Sequence, residues 1–456
     1  MPDNETSKKL NIYIDTADNF RNIAEYVFRF FCDCLQFTPA FIQDFSVENI
    51  HIYYGEKPHP NATINICHNP TVAVFYQQAV AYEHTDITYA FYEGTRLPFL
   101  FSPAEKPVIS AGAITKDIVA SAFYFLSCWS EYAAADEAYE GYRFDYRKSL
   151  QYKGGFAETP VVDFYSLILH DCLGLKGINS DFKKASPEVS HDIDYFDFWT
   201  KKQLLDTYIY NLKRLFKSPI SAGYKLFGHF FTKQFFHHPK KDLVSLYKKE
   251  QALNVQSISF LMVREDNDSK QGYMENDDTL AALHSIYAGK HIGLHGSRAA
   301  AFDENALQME YKRLKAKGFH TASYRNHYLC FDYQKTFAIL EKAGFKTDST
   351  LGYWEHIGFR AGTGRPFQPY NIAEDRPFQI TEKPLIIMDA TLMMPNAMNM
   401  GYKEAKRRVF ELIKNTQKTK SAVNILWHNN RFDRIDYPWL GKLFWEILNI
   451  YVKKDI

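Results

Sequence analysis

From about residue 186 onward, short apolar runs alternate with longer segments whose apolar residues recur every three or four positions. Ser257 to Val263, Ile292 to His295, Thr321 to Tyr324, Leu385 to Met388 and Val423 to Trp427 read as buried strands. Leu280 to Ala288, Asn305 to Lys317, Tyr333 to Ala343 and Lys403 to Thr416 read as helices. Parallel strands need a crossover, and the crossover is usually a helix. This alternation therefore points to a parallel sheet or a (β/α) barrel. In such folds, functional side chains gather at the C-terminal ends of the strands.

Residues 10–180 alternate in the same manner. Leu10 to Ile14, Ile50 to Tyr54, Ala62 to Cys67 and Thr71 to Tyr76 read as strands. Asn19 to Leu35, the largely apolar Asp117 to Ala135, and Val161 to Leu173 read as helices. No catalytic cluster stands out, so a scaffold or recognition role is expected. Turn formers and polar residues cluster between Asn179 and Ser186. The expected division is an N-terminal α/β domain over 1–182 and a second α/β domain over 183–456.

Lys plus Arg number 54 and Asp plus Glu 53, a net charge of +1, which excludes a global basic field for nucleic acid. No window approaches the roughly 18 apolar residues of a membrane span. The six cysteines form no CxxC pair, and the N-terminal residues show no export signal. Free thiols and a cytoplasmic location are expected. One segment departs from this balance. Residues 201–250 carry eleven Lys/Arg against Asp206, Asp242 and Glu250, with ten aromatics interleaved. A pair of helices with solvated lysines is the plainer reading, and weak contact with an anionic surface the sharper one.

Four polar clusters fall at expected strand ends. Ser190-His191-Asp192-Ile193-Asp194 places two carboxylates two residues apart, which on a strand point the same way. Ile292-Gly293-Leu294-His295 delivers an imidazole. His291 lies four residues earlier, but on a strand that is roughly 13 Å, too far for one ion. Ser323-Tyr324-Arg325-Asn326-His327-Tyr328 supplies a guanidinium able to orient a carboxylate. Ile425-Leu426-Trp427-His428 ends an apolar strand in a second imidazole, and Asp389 at another strand end can orient it and raise its pKa.

The order of these clusters over 186–430 resembles the NodB-like polysaccharide deacetylases, carbohydrate esterase family four. Asp192 and Asp194 match that family's base and metal-binding aspartates. His295 matches its first histidine ligand, Arg325 and Tyr328 its Arg-x-Pro-Tyr motif, and Leu426-Trp427-His428 its final Leu-x-His. Phe359 to Thr363 and the N-terminal half are similar to a bacterial subgroup with an extra α/β domain ahead of the deacetylase part. The resemblance implies a distorted (β/α) barrel and a divalent metal, zinc by preference. It implies removal of N-acetyl groups from an amino sugar in a polysaccharide or glycan precursor.

In that reading Asp192 is the base, Arg325 holds it ionised, and His428 protonates the departing amine. The backbone N–H of Tyr328 helps the metal stabilise the oxyanion. The family's second histidine ligand falls on Ala299, which leaves Asp194 and His295 short of the three ligands zinc wants. His327 is the candidate replacement; otherwise it packs or binds substrate and the metal is weak or absent. Two rivals follow from the same residues: a catalytically degraded glycan-binding protein, and a metal-independent C–N hydrolase on the same fold. The oligomeric state is not legible.

Overall fold

The computed structural model describes residues 8–44, 49–103, 107–134, 139–140, 142–194, 196, 209, 212, 239–263, 273–333, 335–432 and 437–452. The chain divides into two compact units. One comprises Met1–Ser186, Leu329–Ile386 and Leu412–Val423; the other comprises Pro187–Tyr328, Ile387–Glu411 and Asn424–Ile456.

In the first unit, strands β1 (Lys8–Asp15), β2 (Phe37–Ile42), β3 (Ile50–Gly55), β4 (Ala62–Cys67) and β5 (Ala113–Ile114) lie in the order β2-β1-β3-β4-β5. Their pairings are parallel. Leu10, Ile12 and Ile14 alternate along β1 and are buried, as a strand with one face on the core requires. Helix α1 (Asp18–Leu35) buries Phe20, Ala24, Val27, Phe31 and Leu35 along one stripe.

Two expectations fail here. Thr71 to Tyr76 is not a strand: Val72–Gln78 forms helix α2, burying Val72, Ala73 and Tyr76 while Val74 faces out. The Asn69-Pro70 pair was the signal, since Asn69 Oδ1 accepts from the Thr71 N–H and opens the helix. The long helix expected over 117–135 is also broken. Helix α3 spans only Ile118–Leu126, and Cys128 is left-handed at φ 47°. Ser127 Oγ donates back to the Phe123 carbonyl, a local bond that competes with helix continuation. Helix α4 (Val161–Leu175) runs through Gly174 and ends just beyond it.

In the second unit, β6 (Val189–Ile193), β7 (Ser257–Leu261), β8 (Ile292–Gly296), β9 (Ser323–Asn326), β10 (Ile387–Met388) and β11 (Ile425–Leu426) lie in the order β9-β8-β7-β6-β11-β10. Each of these pairings is parallel. Helix α5 (Pro239–Ala252) links β6 to β7, α6 (Asp277–Tyr287) links β7 to β8, and α7 (Glu304–Ala316) links β8 to β9. A parallel sheet with helical crossovers is compatible with a (β/α) barrel. The basic aromatic segment 201–250 lies outside the described residues, except for 209, 212 and helix α5. Among the described residues, no helix is long and apolar enough to cross a membrane.

Candidate active site

All the candidate site residues belong to the second unit, at the C-terminal ends of its strands. Along β6 the two-residue period sends Ser190 and Asp192 to one face, with Asp194 next in phase, and His191 to the other. On β9, Arg325 shares its face with the position of His327. Register places His295 of β8 opposite Arg325. Gly296 follows because a Cβ there would lie 2.1 Å from the Tyr324 hydroxyl.

Arg325 is buried. Its Nη1 donates to Asp192 Oδ1 at 3.0 Å and to Ser190 Oγ at 2.8 Å. Its guanidinium lies 4.3 Å from the centre of the Phe260 ring. The base candidate is thus tied to a cation that cannot lose its charge. His428 Nδ1 lies 2.7 Å from Asp389 Oδ1, and the His428 backbone N–H donates to Asp389 Oδ2 at 2.7 Å. Asp389 therefore fixes both the ring and the chain that carries it. Burial would depress the His428 pKa, but Asp389, followed by Asp194 and Asp192, outweighs it and raises the pKa to about 9.

Asp194, His295 and His327 are buried, and each offers one ligand atom within 4.8 Å of the others. This Asp-His-His group is positioned to bind a metal ion. The Arg325 carbonyl, an acceptor only, lies 3.1 Å from His295 Nδ1, so that nitrogen carries the proton. Nε2 then faces Asp194 Oδ1 at 3.3 Å. Neither atom has a hydrogen-bond partner among the described residues, and neither does His327 Nδ1. Two ligands at roughly 2.0–2.1 Å from a tetrahedral zinc ion stand about 3.3 Å apart, so that pair fits. His327 Nε2 is 4.0 Å from Asp194 Oδ1, a looser fit that a small ring movement closes.

Burial pushes the Asp194 carboxyl up, but His295, His428 and His327 outweigh it and hold its pKa below the ordinary value. Burial would lower the His295 pKa, yet Asp192 and Asp194 raise it. Burial dominates at His327 and lowers its pKa to about 4, so it stays neutral, as a ligand must. His291, by contrast, is exposed.

Tyr328 is 40% exposed and left-handed at φ 60°, and Leu329 follows at φ 53°. Its ring stacks on His327 with centroids 3.8 Å apart, under the Arg298 guanidinium at 4.4 Å. Non-glycine residues in this region cost on the order of 1–3 kcal/mol and cluster at functional sites. No sequence signal marked that turn. Sequence reasoning also passed over His191 and Glu250, whose side chains meet at 2.8 Å on the opposite side of β6.

Comparisons with known proteins cover parts of the chain. Residues 11–177 match a family of unknown function, DUF7033. No curated protein matches the chain. Among solved structures, the chain is similar to one called a "putative polysaccharide deacetylase", from Mycobacterium smegmatis. The identity is 16% and the TM-score 0.38, over 60% of this chain and 86% of that one. An overlap that low fixes neither fold nor activity.

Proposed function

We propose that the second unit is a metal-dependent hydrolase that removes N-acetyl groups from an amino sugar of a polysaccharide or glycan precursor. The observation that carries this reading is the buried Asp194, His295 and His327 group, in which Asp194 Oδ1 and His295 Nε2 face each other at 3.3 Å. Two buried acceptors do not face each other stably unless a proton or a cation lies between them. One carboxylate oxygen and two imidazole nitrogens are a donor set that suits zinc.

A divalent ion held there supplies Lewis acidity, lowering the pKa of water and offsetting oxyanion charge. The chain's own groups do the proton work. Asp192, held by the Arg325 guanidinium, takes the proton from the attacking water. His428, held protonated by Asp389, gives a proton to the departing nitrogen, because an amide anion cannot leave at neutral pH. The Tyr328 backbone N–H, turned by its left-handed conformation, donates to the developing oxyanion.

The test is acetate release from an N-acetylated chito-oligosaccharide by zinc-loaded protein, before and after chelation. Activity that disappears with chelation and returns with zinc supports the reading. Zinc bound with no acetate released from N-acetylated glycans would leave a sugar-binding protein instead.

A further inference from the structure

The face of β6 turned away from the site holds a second buried polar group. His191 Nε2 lies 2.8 Å from Glu250 Oε1 on helix α5. His191 Nδ1 lies 2.7 Å from the Trp427 carbonyl. Ser257 Oγ donates to the other Glu250 oxygen at 2.7 Å. Apolar rings enclose the pair, with Phe444, Tyr247 and Phe432 centred 5.7, 6.2 and 6.4 Å from the imidazole.

The proton count follows from the partners. A carbonyl only accepts, so Nδ1 carries a hydrogen. One further proton lies between Nε2 and Glu250. Glu250 raises the imidazole pKa against the effect of burial. The two side chains therefore share one proton and are each hydrogen-bonded again, which makes a buried pair tolerable. Burying it still costs desolvation that an apolar pair would not. Such pairs are best attested where they fix register.

Position along the strands shows what is being fixed. The β6–β11 ladder pairs Val189 with Ile425 and Ser190 with Leu426, and the Trp427 N–H donates to the Ser190 carbonyl at 3.0 Å. Asp192 and His428 lie just past that point, where β6 and β11 no longer pair with each other, although β6 still pairs with β7 at Asp192 and Phe260. His191 sits beside Asp192 in sequence, and Trp427 sits beside His428. The His191–Trp427 bond joins the two strands where the backbone ladder stops, and Glu250 anchors that bond to α5.

We propose that His191 and Glu250 are positioning residues, a buried clamp that sets the proton acceptor Asp192 and the proton donor His428 at a fixed separation. This rests on the deacetylase reading only for its kinetic consequence.

The test uses the full chain and two readouts. The variants are His191→Phe, Glu250→Leu and the near-isosteric Glu250→Gln. With glutamine, a neutral His191 keeps its Nδ1–H bond to Trp427 and accepts from the amide. Amide hydrogen exchange over residues 427–430 needs no substrate. It should quicken at least tenfold in His191→Phe and Glu250→Leu and stay within threefold of wild type in Glu250→Gln. In the zinc-loaded protein, kcat on the N-acetylated chito-oligosaccharide should fall about 10–100-fold in the first two variants. KM and zinc affinity should stay within twofold, and Glu250→Gln should retain at least a third of kcat.

Unchanged exchange in the first two variants overturns the clamp. Faster exchange with unchanged kcat overturns the positioning role and leaves a structural pair. A Glu250→Gln protein as impaired as Glu250→Leu also overturns it, because charge and not geometry would then matter; this arm stands even if His191→Phe fails to fold. Wild-type protein that binds zinc but releases no acetate removes the deacetylase reading, while the exchange readout still decides the clamp.

Discussion

Glu131 in the first unit and Asp194 in the second are both buried carboxylates, and the two units treat them differently. Glu131 accepts from Arg360 Nε at 2.7 Å and Nη2 at 2.6 Å, while Arg360 Nη1 donates to the Gly352 carbonyl. Asp163 is satisfied in the same manner by the Thr363 and Ser421 hydroxyls and the Gly364 N–H. Asp194 Oδ1, His295 Nε2 and His327 Nδ1 are just as inaccessible and have no such partners among the described residues. A buried polar group left unpaired costs roughly 1–3 kcal/mol, more if charged. Saturated networks hold a fold together. The facing atoms Asp194 Oδ1 and His295 Nε2, with His327 Nε2 4.0 Å from the first, leave a place for something else to occupy.

The contrast breaks most sharply at Asp192. Asp192→Asn keeps the shape and can still accept from Arg325, but it cannot take a proton. A loss of about 10²–10⁴ in kcat is expected, with zinc affinity nearly unchanged, because the ion is assigned to Asp194. Activity like that of wild type would remove the base assignment. In the first unit the equivalent change should act on stability alone. Glu131→Ala leaves Arg360 buried and uncompensated, at a cost of about 3–5 kcal/mol in chemical denaturation. The surviving folded fraction should bind zinc as wild type does. Lost zinc affinity at full stability would erase the distinction between the units.

A finer cut separates ligand from bystander. His327→Ala removes one of three buried donors. It should weaken zinc binding in calorimetric titration by more than the roughly 10–100-fold typical of losing an outer-shell partner. His291→Ala alters an exposed side chain four residues before a ligand and should change nothing. Equal affinities in the two variants would mean that Asp194 and His295 find their third ligand elsewhere.

Much of this arrangement was legible because strands have a period of two. Asp192 and Asp194 fall in phase on one face of β6, and the apolar runs before His295, Arg325 and His428 announce where each strand delivers its side chain. Where local chemistry overrode pattern, reading failed. Val72 to Tyr76 is as apolar as a strand, and the turn at Asn69, whose side chain accepts from the Thr71 N–H, precedes a helix instead. α3 stops at Ser127 within an apolar run interrupted otherwise only by Ser121, and no spacing marks that end. His191 stayed hidden for another reason: its partner Glu250 is 59 residues away on α5 and follows no spacing rule. The left-handed turn at Tyr328 has no glycine to mark it.

The smallest effect expected is the most specific to the second unit. His428 titrates near 6.5 when unperturbed, and in the folded protein Asp389 raises it to about 9. Its contribution to folding is therefore fully present below about pH 6.5 and is lost as pH climbs through 9. The same shift keeps the donor protonated across neutral pH, so the alkaline limb of kcat should lie near 9. Asp389→Asn removes the negative charge while retaining a side chain able to accept from the His428 backbone N–H. The limb should then fall toward the unperturbed value, leaving activity almost unaltered at pH 6 and reduced roughly thirtyfold at pH 8. A pH–rate profile of the variant measures this directly. A uniform loss across the whole range, with the limb still near 9, would mean that Asp389 only places the His428 ring and that another carboxylate supplies the charge.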